Sequence, residues 1–187
     1  MTQTPEQVLA DIPGWDGATL SELSGGLTNR TWRVTKGKKS GVLKIDDEPR
    51  EAPFNSRYDE AYVQNMAHKA GLATQVILVD SGLYFTEFVE GVVWTGDCVG
   101  KVNNLEMIAA ALKRLHALPL TGRVFDASVA AKRYVDNLKG LEPDVAEKCV
   151  EIAARMRSPL NVCCCHNDLV AANLITTPEL MFLDWEY

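Results

Sequence analysis

The stretch His166-Asn167-Asp168-Leu169-Val170-Ala171-Ala172-Asn173 puts a carboxylate and a carboxamide on one short polar loop. A second carboxylate, Asp184, follows the apolar run Met181-Phe182-Leu183. Two acids and an amide in this order suit phosphoryl transfer. One carboxylate stands by the attacking hydroxyl, and the other oxygens hold Mg²⁺. Magnesium takes few carboxylates and fills its remaining positions with phosphate oxygens and water, which this donor set allows. The plain structural explanation is a polar turn between buried strands, since Asp and Asn form turns readily.

A lone cation, Lys44, interrupts the apolar run Val42-Leu43-Lys44-Ile45. A lysine on a half-buried strand is costly unless its charge is used; a solvated edge-strand lysine is the alternative. Ser24-Gly25-Gly26-Leu27-Thr28-Asn29 is a glycine-bearing turn. Its backbone can approach a phosphate closely and donate N–H groups to it, although any hairpin can carry two glycines. No Walker A lysine follows, which disfavours a P-loop NTPase. Trp94, Trp185, Glu186 and Tyr187 offer aromatic faces and a carboxylate. Such groups suit a quaternary ammonium or thiazolium cation; ordinary packing is the alternative.

The elements that must position these groups are legible from periodicity. Thr4-Pro5-Glu6-Gln7 predicts a short helix with Thr4 as its N-cap. Strands are expected over Leu20–Leu23, Thr31–Val34, Gly41–Ile45, Gln75–Val79 and Leu83–Val89. A helix from Ser56 to about Ala70 is stopped by Gly71, and Asp46–Asn55, with Pro49 and Pro53, reads as a loop. Leu105, Ile108, Leu112 and Leu115 recur at helical spacing, and Ala127–Leu138 and Pro143–Met156 are also helical. Short strands are expected at Asn161–Cys165, Asn173–Thr176 and Leu180–Leu183.

The chain has 187 residues, 47% of them hydrophobic and 24% charged, with a net charge of −6. That balance describes a globular protein with a buried core and argues against nucleic acid as a partner, which would need a basic footprint. No apolar run is long enough to span a bilayer, and no basic-then-apolar leader opens the chain. The five cysteines, three of them consecutive, form no disulfide framework, so a cytoplasmic setting is expected.

His166-x-Asp168-Leu169-x-x-x-Asn173 fits the catalytic-loop pattern of kinases. Together with Leu183-Asp184-Trp185-Glu186-Tyr187 it resembles the choline/ethanolamine kinase branch of the aminoglycoside phosphotransferase superfamily, near lipopolysaccharide choline kinases and thiamine kinases. Aminoglycoside phosphotransferases more often have glycine where Asn167 stands, and protein kinases have arginine there. The resemblance implies an α+β, two-lobed protein-kinase-like fold, with a β-rich nucleotide-binding lobe over residues 1–91 and a helical lobe over 92–187. It implies ATP and Mg²⁺ as cofactors. Asp168 resembles the catalytic base, and Asn173 and Asp184 the metal ligands. Lys44 resembles the lysine that holds the nucleotide phosphates and pairs with a helix glutamate; Glu60 is the best candidate and Asp59 the competitor. Gly25, Gly26, Thr28 and Asn29 resemble the phosphate loop, and Glu87 and Val89 the hinge whose backbone meets adenine. His166 is expected to brace the loop.

Members of that superfamily continue past the metal aspartate with several helices. The resemblance therefore implies a truncated second lobe with an exposed apolar face, a liability or an interface for a homo-oligomer. The expected partner is a small, cationic, hydroxylated acceptor of the choline, ethanolamine or thiamine type. An aminoglycoside, or an inactive nucleotide-binding module with no turnover, is the alternative.

Overall fold

Alternating apolar and polar residues build two antiparallel sheets. The computed structural model describes residues 4–23, 29–46, 56–122, 124–137, 140, 142–156 and 161–185. Helix α1 (Pro5–Ala10) precedes strands β1 (Thr19–Glu22), β2 (Asn29–Lys36) and β3 (Lys39–Asp46). Helix α2 (Arg57–Lys69) leads into β4 (Val76–Asp80) and β5 (Leu83–Glu87). These strands form a five-stranded sheet in the order β1-β2-β3-β5-β4. The α+β class expected from the sequence is the class observed.

Register decides which face of this sheet does chemistry. Trp32 of β2 pairs with Leu43 of β3, and Leu43 pairs with Phe85 of β5. That row packs beneath Val8, Leu9, Ile12 and Trp15 as the core. Strand side chains alternate, so the next row, Thr31, Lys44 and Tyr84, turns to the opposite face, and a one-residue slip would send Lys44 into the core. The Phe85 ring lies over Gly41, and a Cβ there would meet Phe85 Cζ at 2.7 Å. Trp15 meets the same ring edge-on, with centroids 4.7 Å apart.

Both early helices are bounded as their sequences dictate. Thr4 Oγ1 accepts from Gln7 N at 3.4 Å while Gln7 Oε1 accepts from Thr4 N at 2.9 Å, a reciprocal cap. At the end of α2, Gly71 takes φ +68 and donates to His68 O at 2.8 Å, while Leu72 N–H reaches Ala67 O at 2.9 Å. This is a Schellman stop, which glycine enters without steric cost. Ser56 precedes α2 without a side-chain cap; its carbonyl accepts from Glu60 N at 3.0 Å.

The second sheet has the order β6-β7-β8: β6 (Val92–Val93), β7 (Leu174–Thr176) and β8 (Leu180–Phe182). Between β6 and β7 in sequence come α3 (Gly96–Val99), α4 (Val102–His116), α5 (Ala127–Asn137) and α6 (Pro143–Ala154), and a 3₁₀ turn over Ala171–Asn173 precedes β7. The chain divides into two compact units, Met1–Leu118 with Cys165–Tyr187, and Pro119–Cys164. Within the first, Phe182 N–H donates to Leu72 O at 2.8 Å, and Arg114 of α4 donates to Ala70 O and to Glu179 Oε2, the latter at 3.0 Å. These bonds fasten the second sheet to the turn after α2. In the second unit α5 packs on α6, with Val129, Tyr134, Val145 and Ile152 exposed.

Two sequence expectations need correction, and two features lie beyond what the sequence pattern shows. Asp46 is not in a loop; it is the last residue of β3 and is buried. Residues 161–165 join no sheet, because an apolar run becomes a strand only where an edge is available to pair with it. Strand β6 and helix α3 are too short to register as periodic signals. On α4, Ile108, Ala111 and Leu115 are the buried residues, while Leu105 is exposed. Gly41→Ala is expected to lose about 1–3 kcal/mol by overpacking Phe85. A lower denaturant midpoint with an unchanged m-value would show it.

Candidate active site

Lys44 is the electrostatic centre of the site. Its Nζ lies 2.6 Å from Asp184 Oδ1 and 4.0 Å from Glu60 Oε1. Glu60 sits on the inward stripe of α2 with Arg57, Ala61, Gln64 and Ala67, all buried at i, i+3, i+4, i+7 and i+10 spacing. Asp59 lies off that stripe and is only partly buried. The structure thus brings together Lys44, Glu60 and Asp184 from a strand, a helix and the segment after β8.

The polar loop is organised around Asn173. Its Nδ2 donates to Asp168 Oδ2 at 2.9 Å and to the Asp168 main-chain oxygen at 3.0 Å. The other end of the amide, its oxygen, is the end able to ligate a cation. Leu183 N–H donates to Asn173 O at 2.8 Å, continuing the β7–β8 ladder past the Leu174–Phe182 pair. The hairpin therefore delivers Asp184 beside Asn173. One carboxylate and one amide oxygen on adjoining segments suit a hard divalent cation such as Mg²⁺, which fills its other positions with phosphate oxygens and water.

His166 braces this arrangement from beneath. It is 2% exposed, and its Nε2–H donates to Leu183 O at 2.9 Å. Its ring lies 4.8 Å from Trp185 and 5.7 Å from Phe182. Burial pushes the imidazole pKa below its ordinary value, although the Leu183 carbonyl and the charges of Asp168 and Asp184 pull the other way. Asn167 and Asp184 both have φ 63, in the left-handed region. The chain thus turns abruptly on either side of the histidine's contacts, beside Asp168 and at Asp184 itself.

The family profile described as the phosphotransferase enzyme family matches residues 19–187. The chain belongs to the phosphotransferase enzyme family. No curated protein matches this chain in sequence. Among solved structures it is similar to the Plasmodium vivax ethanolamine kinase, with TM-score 0.74, 18% identity, and coverage of 97% of this chain and 61% of that one. It is also similar to the choline kinase of Streptococcus pneumoniae, with TM-score 0.68, 22% identity, and coverage of 90% and 63%. A spectinomycin phosphotransferase in complex with ADP and spectinomycin matches with TM-score 0.65, 13% identity, and coverage of 100% and 69%. These likenesses establish a kinase-like fold. The chain spans 61% and 63% of the length of the two kinases named.

Other expected site residues are placed less centrally. Gly25, Gly26, Thr28, Glu186 and Tyr187 lie outside the described residues, and Asn29 opens β2 opposite Asp46. Glu87 ends β5 with its N–H given to Gln75 O at 2.8 Å, so an adenine bond from residue 87 would come from its carbonyl. Val89 is partly buried two residues on. Trp185 is 3% exposed, packed on His166 and Phe182, with its indole N–H bonded to Phe182 O at 3.1 Å. Trp94 is 5% exposed and donates to Thr176 Oγ1 at 2.6 Å. Both placements favour the packing role for these tryptophans over an open cation-binding face.

Two residues escaped sequence reasoning: Arg57, which pairs with Glu60 on the buried side, and Asp46, which pairs with Arg57. The available signals were strand alternation, which puts Asp46 on the face of Lys44, and helical spacing, which puts Arg57 one turn before Glu60.

The depressed pKa of His166 gives a pH signature. The unfolded chain binds the proton more readily than the folded one, so stability is full above about pH 6.5 and is lost as the pH falls through that value toward the folded pKa. His166→Gln is expected to flatten this slope. Denaturant midpoints measured across the window would check it, and an equally steep acid slope in the variant would exclude His166 as its source.

Proposed function

We infer that this site binds ATP with Mg²⁺ and transfers the γ-phosphate to a hydroxyl of a small cationic acceptor of the choline, ethanolamine or thiamine type. The observation that carries the reading is the ion-paired cluster of Lys44, Glu60 and Asp184 adjoining the hydrogen-bonded pair Asp168 and Asn173. The ethanolamine kinase and choline kinase among the structural neighbours support the acceptor class, and the ADP-bound spectinomycin phosphotransferase supports the nucleotide. The functional boundary near Gly91, with nucleotide binding before it and the catalytic loop after it, is part of this proposal.

On this reading each residue has a task set by its chemistry. Asp168 accepts the proton as the acceptor oxygen attacks the γ-phosphorus and the bond to the bridging oxygen of ADP breaks. Asn173 holds Asp168 by its amide nitrogen, which fixes the carboxylate before substrate arrives. Lys44 sets its charge against the α- and β-phosphates, and Glu60 restrains Lys44. Asn173 and Asp184 would hold the magnesium, which when bound supplies positive charge to the phosphate oxygens.

Asp168→Ala is expected to lower kcat by roughly 10²- to 10⁴-fold while ATP affinity stays unchanged. A coupled turnover assay with choline, ethanolamine, thiamine and aminoglycosides, run beside calorimetric ATP titration, measures both. Undiminished turnover in the variant would remove Asp168 from its role. ATP binding by the parent protein, with no turnover of any acceptor, would assign a nucleotide-binding module instead.

A further inference from the structure

The geometry points to Arg57 and Asp46 as positioning residues that set Glu60 and, through it, Lys44; this rests on the kinase reading above. Arg57 opens α2 and is 2% exposed, and Asp46 ends β3 at 6%. The guanidinium donates from Nε and Nη2 to the two carboxylate oxygens of Asp46, at 3.1 and 2.5 Å. Its remaining arm, Nη1, donates to Glu60 Oε2 at 2.5 Å. The other oxygen of Glu60 is the one 4.0 Å from Lys44. Asp46 stands two residues beyond Lys44 on the same face of the same strand. One arginine therefore bridges the strand that carries the lysine and the helix that carries the glutamate.

A second set of contacts holds the same elements together. The Arg57 guanidinium carbon lies 5.4 Å from the ring centroid of Tyr84, the ladder partner of Lys44. The Tyr84 hydroxyl donates to Gln64 Oε1 at 2.9 Å, two turns beyond Arg57 along α2. Charge alternates along the whole path: Asp46, Arg57, Glu60, Lys44, Asp184.

Stability alone is a poor reason for this cluster. Burial opposes the charge on Arg57, and only the hydrogen bonds and charges of Asp46 and Glu60 outweigh it and hold its pKa above the ordinary value. Apolar side chains of similar volume often replace a buried ion cluster without loss of stability. What the cluster adds is direction. A guanidinium fork bonded to both oxygens of one carboxylate fixes its own plane, which a single ammonium cannot do. With that plane fixed, the third arm commits one oxygen of Glu60 and leaves the other aimed at Lys44.

Arg57→Met and Arg57→Lys test this by crystal structures of the variants and by steady-state kinetics for ATP and acceptor separately. Arg57→Met is expected to turn Glu60 away from Lys44 and to raise the KM for ATP roughly 100-fold, with the acceptor KM unchanged. Arg57→Lys is expected to fall between, because it keeps the cation and loses the fork. A merely structural role would lower Tm and the active fraction without splitting the two KM values. Glu60 still within ion-pair distance of Lys44 in Arg57→Met, with an unchanged KM for ATP, overturns the inference; where the two readouts disagree, the geometry decides. If Arg57→Met does not fold, Arg57→Lys is judged by the same criteria. If the parent protein neither binds nor turns over ATP, the kinase reading fails, and displacement of Glu60 in the variant still supports the clamp while its retention overturns it.

Discussion

One ammonium group holds two acids from distant parts of the chain. Lys44 contacts Asp184 at 2.6 Å and Glu60 at 4.0 Å, and without it two carboxylates would face each other in a partly desolvated space. Like charges at that range repel strongly where water is scarce. The rest of the first unit is arranged so that this lysine can be there. Strand β3 is central, between β2 and β5, so Lys44 cannot escape to an edge. The register of β3 fixes its face, α2 brings Glu60, and the β7–β8 hairpin brings Asp184.

The site was legible where chemistry restricts residue type. An aspartate, an asparagine and a second aspartate at these intervals have few other reasons to occur, and a lone lysine among Val42, Leu43 and Ile45 asks for a partner. The lysine's nearest partner was not foreseen, because Asp184 reaches it only through the fold. The buried arginine was missed for a related reason. After Ile45 the sequence turns polar and carries two prolines, so Asp46 reads as solvated loop. A charged residue becomes sensible in the interior only when its counter-ion is known to be adjacent, and Arg57 is separated from it by a stretch with no periodicity.

Aromatic residues were the most ambiguous. The sequence allowed Trp94 and Trp185 to be either open faces or packing, and nothing in their neighbours decides between these uses. Tertiary contacts favour packing. Trp185 covers His166 and Phe182, and Trp94 ties β6 to β7 by its indole N–H. The same limit applies to the cysteine-rich run before His166, whose apolar character suggests a strand although it joins neither sheet. The described helices and strands before Gly91, by contrast, follow local patterns: a reciprocal cap at Thr4, a glycine stop at Gly71, and alternation along β2 and β3.

The main chain at position 184 imposes a rule of its own. In a left-handed conformation glycine is comfortable, asparagine and aspartate are tolerated, and most other side chains clash with their own carbonyl. Of the three that fit, glycine brings no oxygen and asparagine brings no charge. Aspartate is thus the sole member of that short alphabet with a net negative side chain. Its nearest chemical relative, glutamate, is disadvantaged there by backbone shape before its extra methylene is even considered. Sterics narrow the vocabulary first, and electrostatics chooses the word.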